Sequence, residues 1–221
     1  MNLYLNDTSP FSRVVLVTAV LCQYDELTLT WVDPWQSPTL LTEVNPFNQI
    51  PVLRIDGSVD LTESLCICQW LIANRSTNTA KPIVNHQQIP TLDWQSQEAV
   101  ALMGIAKGLM EIAFRTAALA RFSEQDHVLI ERGHVALLNA LEKLELSTLD
   151  NIDGIAYQAN LPALYLYIAL EYVQFRHGEI FNEHVGPRIT QFLNLSPFRQ
   201  IAEKITIQGL SSQPSFTHLI S

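Results

Sequence analysis

An apolar run, Leu3-Tyr4-Leu5, gives way within a few residues to Ser9-Pro10, and then to a long apolar stretch from Val14 to Cys22. A run of three apolar residues bounded by polar ones reads as a buried strand. Serine is a favoured N-cap, and proline fits the first position of a helix because its missing N–H would be unpaired there anyway. The segment is therefore a strand, a tight loop and a helix whose start is fixed by sequence. This unit limits the fold, because a strand feeding straight into a helix calls for further strands in one sheet with helices against it.

The following residues continue that pattern. Strands are expected over 2–5, 28–32, 52–55 and 58–61, and helices over 10–22, 37–44 and 63–74. Asp56-Gly57 is a turn signal that joins the last two strands as a hairpin. The order β-α-β-α-β-β-α predicts a mixed sheet flanked by helices. Beyond Asn74 the composition changes to a polar tract running to Gln88, which reads as a linker. Strand signals then stop. Apolar positions recur at helical spacing over 91–122 and 124–146, and Leu161 to Arg176 is apolar on nearly every side, as a buried central helix would be. Shorter helices are expected near 186–195 and 197–207. The reading is an α/β domain over 1–76, a linker over 77–88 and an all-α domain over 89–221.

Composition excludes several function classes. The chain has 221 residues, 48% of them apolar, enough for two small domains with real cores. Lys and Arg number 13 against 22 Asp and Glu, a net charge of −9, and no basic run occurs. Nucleic acid and anionic membrane surfaces both demand clustered cations, so neither is an expected partner. The longest apolar stretch, Leu161 to Leu170, is too short to span a bilayer. The first residues lack the basic and apolar regions of a secretion signal. The cysteines, Cys22, Cys66 and Cys68, are an odd number and suit a reducing compartment. All three are expected to be buried thiols, with Cys66 and Cys68 on different faces of their helix. The default location is cytoplasmic. The six histidines show no spacing that would hold a metal with cysteine or carboxylate partners.

Three local motifs carry chemistry. A helix start presents unpaired N–H groups and partial positive charge, so Ser9 with its helix can hold an anion. Asn45-Pro46-Phe47-Asn48-Gln49-Ile50-Pro51 is a loop running into a strand. Thr62-Glu63-Ser64 opens another helix. In this order and spacing the three motifs resemble the glutathione S-transferase family, most closely a bacterial branch with a Ser-Pro-Phe loop and a Pro-Ser-Phe tail, here Pro214-Ser215-Phe216. The resemblance is close over the first domain and looser beyond it.

The resemblance implies a thioredoxin-like N-terminal domain, an all-α C-terminal domain and glutathione as co-substrate, with no metal. It gives Ser9 the role of hydrogen-bond donor to the glutathione thiolate. Serine also stands at Ser12, where dithiol relatives carry a second cysteine, which argues against redox and cysteine-type chemistry. Phe11 lies at the edge of the acceptor pocket or anchors the loop. Arg13 reads as a structural ion-pair residue. Ile50-Pro51 matches the family's cis-proline turn, which aims the Ile50 backbone at the ligand's cysteinyl backbone. Glu63 pairs with the ligand ammonium, and Ser64 receives the γ-glutamyl carboxylate. Gln49 stands where relatives often have lysine for the glycyl carboxylate; Trp35 and Gln36 are possible helpers.

The second domain is expected to supply a pocket for a small hydrophobic electrophile between the two domains, with Met103, Lys107, Met110, Phe114 and Arg115 as candidates. A capping motif that relatives place before the central helix is replaced by Tyr157-Gln158-Ala159-Asn160. Asn160 can still cap, with Pro162 in the first turn. A homodimer is implied. The implied activity is glutathione conjugation; a non-catalytic binding or regulatory protein, or a glutathione-dependent isomerase or dehalogenase, are the alternatives on the same fold.

Overall fold

The sheet is built around β1 (Asn2–Leu5), in which Leu3, Tyr4 and Leu5 are all buried. A strand buried on both faces must lie inside a sheet, and the register agrees. β1 pairs in parallel with β2 (Thr28–Trp31) and antiparallel with β3 (Val52–Ile55), which pairs antiparallel with β4 (Val59–Thr62). The strand order is β2-β1-β3-β4. The computed structural model describes residues 1–57, 59–75, 89–123, 127–148 and 153–220. The expected linker at 77–88 lies outside the described residues, as does Ser58.

The helices of this part follow their capping signals. α1 (Pro10–Leu21) is capped by Ser9 and buried almost all round, from Ser12 to Val20. The expected helix over 37–44 is shorter. Pro34–Gln36 forms one 3-10 turn, Ser37 takes φ +44°, and only then does α2 (Thr39–Thr42) begin. Pro38 explains the break, since proline keeps the preceding residue out of the helical region. α2 contributes Leu41 to a cluster with Tyr4, Val32, Val44 and Val52, against which Ile50 packs. α3 (Ser64–Ala73) packs on α1. Cys22 and Cys68 are buried as expected, but Cys66 is exposed, because residues two apart on a helix cannot share a face.

Packing divides the chain into two compact units, residues 1–91 with 200–221, and residues 92–199. The C-terminal residues from Gln200 onward thus fall with the sheet, whereas the sequence reading grouped them with the helices of 89–221. Arg13 is one reason. Its buried guanidinium donates to Ile205 O (2.6 Å) and Ala202 O (2.9 Å). These carbonyls end α10 (Arg199–Lys204), where helix acceptors lack partners and favour a cation. α11 (Ile207–Leu210) and α12 (Phe216–Ile220) follow, with Phe216 buried.

In the second unit α4 (Gln97–Phe122), α5 (Val128–Lys143) and α7 (Leu161–Arg176) form the core. α7 is the central buried helix expected from its composition: every residue from Leu161 to Leu170 is buried. Gly133 lets α4 and α5 approach closely, since a Cβ there would lie 2.0 Å from Thr116 Oγ1. A π-helical turn (Leu144–Thr148), α6 (Asp153–Ala156), α8 (Gly178–His184) and α9 (Pro187–Leu195) complete the unit. Asn160 caps α7, its Oδ1 accepting from the Ala163 N–H at 2.9 Å, while its Nδ2 donates to Ile155 O. Asn160→Ala is expected to cost about 1 kcal/mol of stability, read as a lower denaturant midpoint; an unmoved midpoint would deny the cap its role.

Candidate functional site

The register decides which sequence-predicted residues meet. Leu5, at the C-terminal end of β1, pairs with Trp31 at the C-terminal end of β2. Tyr4 pairs with Val52, the first residue of β3, and Val52 pairs with Thr62, the last of β4. One end of the sheet therefore emits the loop to Ser9, receives Ile50-Pro51, and emits Glu63 and Ser64. The stretch from Val32 to Trp35 leaves from the same end. Ser9, Phe11, Gln49, Ile50, Pro51, Glu63 and Ser64 all sit on segments at that end.

Ser9 is buried, and its Oγ accepts the Ser12 N–H at 3.2 Å as the N-cap of α1. That bond uses the hydroxyl oxygen as acceptor and leaves the O–H as a donor. Capping and donation to an anion are thus compatible in one side chain. Phe11 is half-buried in the first turn. The loop from β1 is set by Asn6, whose Oδ1 accepts from Thr8 N and Oγ1 and whose Nδ2 donates to Val32 O.

The Ile50-Pro51 peptide bond is cis. The approach to it is braced by a residue that sequence reasoning passed over. Asn45 is buried; its Nδ2 donates to Gln49 O at 2.7 Å and its Oδ1 accepts the Phe47 N–H at 3.1 Å. Its place in Asn-Pro-Phe-Asn was the available signal, as asparagine commonly bonds the backbone two residues on. Asn48 holds φ +52°, which asparagine tolerates, and its Nδ2 donates to Pro34 O and Ser37 Oγ. Gln49 is exposed.

Glu63 is the N-cap of α3 with φ +70° and ψ +117°. A non-glycine residue held there costs about 1–3 kcal/mol and persists where the surroundings fix it, often at ligand sites. Its Oε1 accepts the Ser64 N–H at 3.0 Å, so the helix start already faces a carboxylate, its own. Ser64 is buried.

Other titratable groups lie elsewhere. Burial pushes the Cys22 thiol up to about 11 despite the nearby Arg75, so it stays protonated near neutral pH and is no nucleophile. Burial likewise raises Tyr24 to about 12. In the second unit burial lowers His177, whose Nε2 sits 2.9 Å from Ala113 O. Among the described residues no group of His, Cys, Asp and Glu could hold a metal ion, and no helix is long and apolar enough to cross a membrane.

Of the expected acceptor-pocket residues, Met110 is core, Phe114 is half-buried and Arg115 is exposed. Met103 and Lys107 instead line a cleft of about 300 Å³ with Leu92, Trp94, Val100 and Gly104. Lys107 is ion-paired with Glu111 one turn on.

Residues 8–74 match a family profile described as glutathione S-transferase, N-terminal domain. The fold is shared with a glutathione transferase family member from Pseudomonas fluorescens Pf-5 crystallised with bound glutathione: TM-score 0.70 at 21% identity, covering 96% of this chain and 98% of that one. A glutathione S-transferase from Methylobacillus flagellatus KT gives TM-score 0.64 at 18% identity, over 94% and 96% of the two chains. Glutathione transferase F2 from Populus trichocarpa gives 0.60 at 16%, over 95% and 99%. A comparison with curated proteins finds no significant match. Residues 8–74 thus match the N-terminal domain of the glutathione S-transferase family, and the chain as a whole shares the fold of glutathione transferases.

Proposed function

We infer that the chain is a glutathione transferase that activates the thiol at Ser9 and conjugates it to a small hydrophobic electrophile. The observation that carries this reading is the register, which brings Ser9, the cis Ile50-Pro51 and Glu63-Ser64 to one end of the sheet. The Pseudomonas fluorescens relative, crystallised with glutathione and with S-(propanoic acid)-glutathione, supports the choice of ligand.

In this reading the γ-glutamyl carboxylate displaces the Glu63 carboxylate from the Ser64 N–H at the start of α3, and Glu63 turns to the ligand ammonium. The Ile50 N–H and C=O pair with the cysteinyl backbone as an added strand would. The sulfur then lies at the start of α1, where the Ser9 O–H donates to it. The thiol gives its proton to solvent. The thiolate donates the electron pair of the new S–C bond as the electrophile releases its leaving group; at an activated double bond the π pair instead moves onto the activating group, and the adduct takes a proton from solvent. The apolar cleft on α4 offers a surface for such an acceptor. We assign residues 1–76 to glutathione and 89–221 to the electrophile, and the chain to a cytoplasmic homodimer. Isomerisation and dehalogenation share the Ser9 step, and an electrophile screen separates them from conjugation.

Calorimetric titration with reduced glutathione tests the reading. Saturable binding is expected, weakened about tenfold by Ser64→Ala through loss of one bond to a charged group. No heat at millimolar glutathione would leave a binding or regulatory protein on this fold.

A further inference from the structure

The loop that leads from α2 to β3 is built around one buried asparagine. Asn45 is 2% exposed, and all four of its polar groups are bonded to nearby chain. Its N–H donates to Leu41 O (2.9 Å) in α2, and its C=O accepts the Asn48 N–H (2.9 Å). Its Oδ1 accepts the Phe47 N–H (3.1 Å) and its Nδ2 donates to Gln49 O (2.7 Å). The side-chain amide can face only one way, since a backbone N–H donates and a carbonyl accepts. Leu41 packs in one cluster with Tyr4 and Val52, which refers this loop to β1 and β3.

The bond to Gln49 O orients more than a carbonyl. Gln49 C=O and Ile50 N–H belong to one peptide group, which is trans and planar, so the two point in opposite directions. Asn45 draws the C=O toward itself, on the buried side of the loop. The Ile50 N–H is thereby turned away from the interior. A bond of 2.7 Å lies at the short end of the N–H···O range, and burial of the asparagine strengthens it, so the peptide plane is firmly set.

We propose that Asn45 is a positioning residue for glutathione: by holding the Gln49 C=O it aims the Ile50 N–H at the carbonyl of the ligand's cysteinyl residue. This rests on the glutathione reading above, in which the Ile50 backbone pairs with the cysteinyl backbone, and it names the residue that sets that pair. A donor aimed beforehand does not have to be ordered when the ligand binds. Asn45 acts through the peptide group, whereas the thiolate is served by Ser9, which its own helix holds. Losing Asn45 thus weakens the grip on glutathione and leaves the titration of its thiol in place. Aspartate separates donor from shape. It has the size of asparagine and still accepts the Phe47 N–H, but its carboxylate has no proton to give Gln49 O.

Calorimetric titration of the full chain with reduced glutathione, at a pH above the carboxylate range, tests the proposal. Asn45→Ala and Asn45→Asp are each expected to bind about fivefold to tenfold more weakly than the parent protein, the worth of one hydrogen bond. Thiolate absorbance at saturating glutathione is expected to titrate as it does in the parent. Parent-like affinity in either variant overturns the proposal; in Asn45→Asp it would show that shape and the Phe47 bond suffice. A bound thiol whose titration also moves overturns it too, since that marks a general loosening of the site. Hydrogen exchange in the parent protein needs no variant to fold. There the Ile50 amide is expected to gain protection when glutathione is added, and an amide left unprotected overturns the proposal. A parent protein that binds no glutathione overturns the glutathione reading itself, and this inference with it.

Discussion

Ser9→Ala is expected to lower the rate of glutathione conjugation near neutral pH by about thirtyfold to a hundredfold. A hydrogen bond to a charged group is worth about 1.5–3 kcal/mol, and the charge here is the thiolate. The sign follows from which form is stabilised. On the proposed role, Ser9 and the start of α1 favour S⁻, so the bound thiol is expected to titrate below a free one, and without the hydroxyl its pKa to rise by about 1–2 units. The variant should then regain rate as pH rises, where the parent protein has already levelled off. Thiolate absorbance of bound glutathione, measured against pH alongside the conjugation rate, checks this. The substitution also removes the bond from the Ser12 N–H, a stability loss of about 1 kcal/mol. A lower melting temperature with an unmoved pH profile would make Ser9 a cap and nothing more.

Why this serine was legible while its surroundings were only partly so is a matter of range. Ser9-Pro10 announces itself locally, because capping and φ are decided within one turn. The strands around it were placed within a residue or so at their ends, since apolar runs and the Asp56-Gly57 turn are also local; both turn residues indeed hold positive φ. The cis bond at Ile50-Pro51 followed from family resemblance, not from spacing. The helix expected over 37–44 is shorter, Thr39–Thr42, because Pro38 acts on the residue before it, which the apolar count ignores.

Long-range partners were out of reach. Arg13 reads as an ion-pair residue, yet it donates to carbonyls 189 and 192 positions away. No periodicity in residues 200–221 marks them as companions of the sheet. Cys66 is expected inside because free cysteine is commonly a core residue, a residue-type preference that says nothing of which helix face it occupies; on α3 it is exposed. Asn45 failed to stand out for the opposite reason. Asparagine in a loop is ordinary, and only the bond from Nδ2 to Gln49 O reveals that it holds the approach to the cis-proline. In the candidate site, then, the residues that would touch ligand are readable from motif, while those that set the loops are readable only from contacts.

Glu145→Ala is expected to destabilise the helical unit by about 3 kcal/mol, the largest single loss of stability foreseen here. α9 starts with Gly186-Pro187, a pair that supplies no side-chain acceptor for the unpaired N–H groups of a helix start. Glu145, in the π-helical turn, fills that need from a distance. Its Oε1 accepts the N–H of Gly186 (2.8 Å) and of Ile189 (2.9 Å), and its Oε2 that of Arg188 (3.1 Å). Pro187 has no N–H, so one carboxylate serves every donor of the cap and the first turn. A negative charge also suits the positive end of the helix. The fit leaves no room: a Cβ on Gly186 would lie 2.7 Å from Glu145 Oε2. Bonds to a charged group are worth about 1.5–3 kcal/mol each and do not add in full, which sets the estimate. Denaturant unfolding measures it, and hydrogen exchange at Arg188 and Ile189 localises it. Faster exchange at those amides with a lower midpoint is the expected result. A midpoint within about 1 kcal/mol of the parent protein would mean that water replaces the carboxylate at little cost, and that α9 is held by the packing of Ile189 and Phe192 alone.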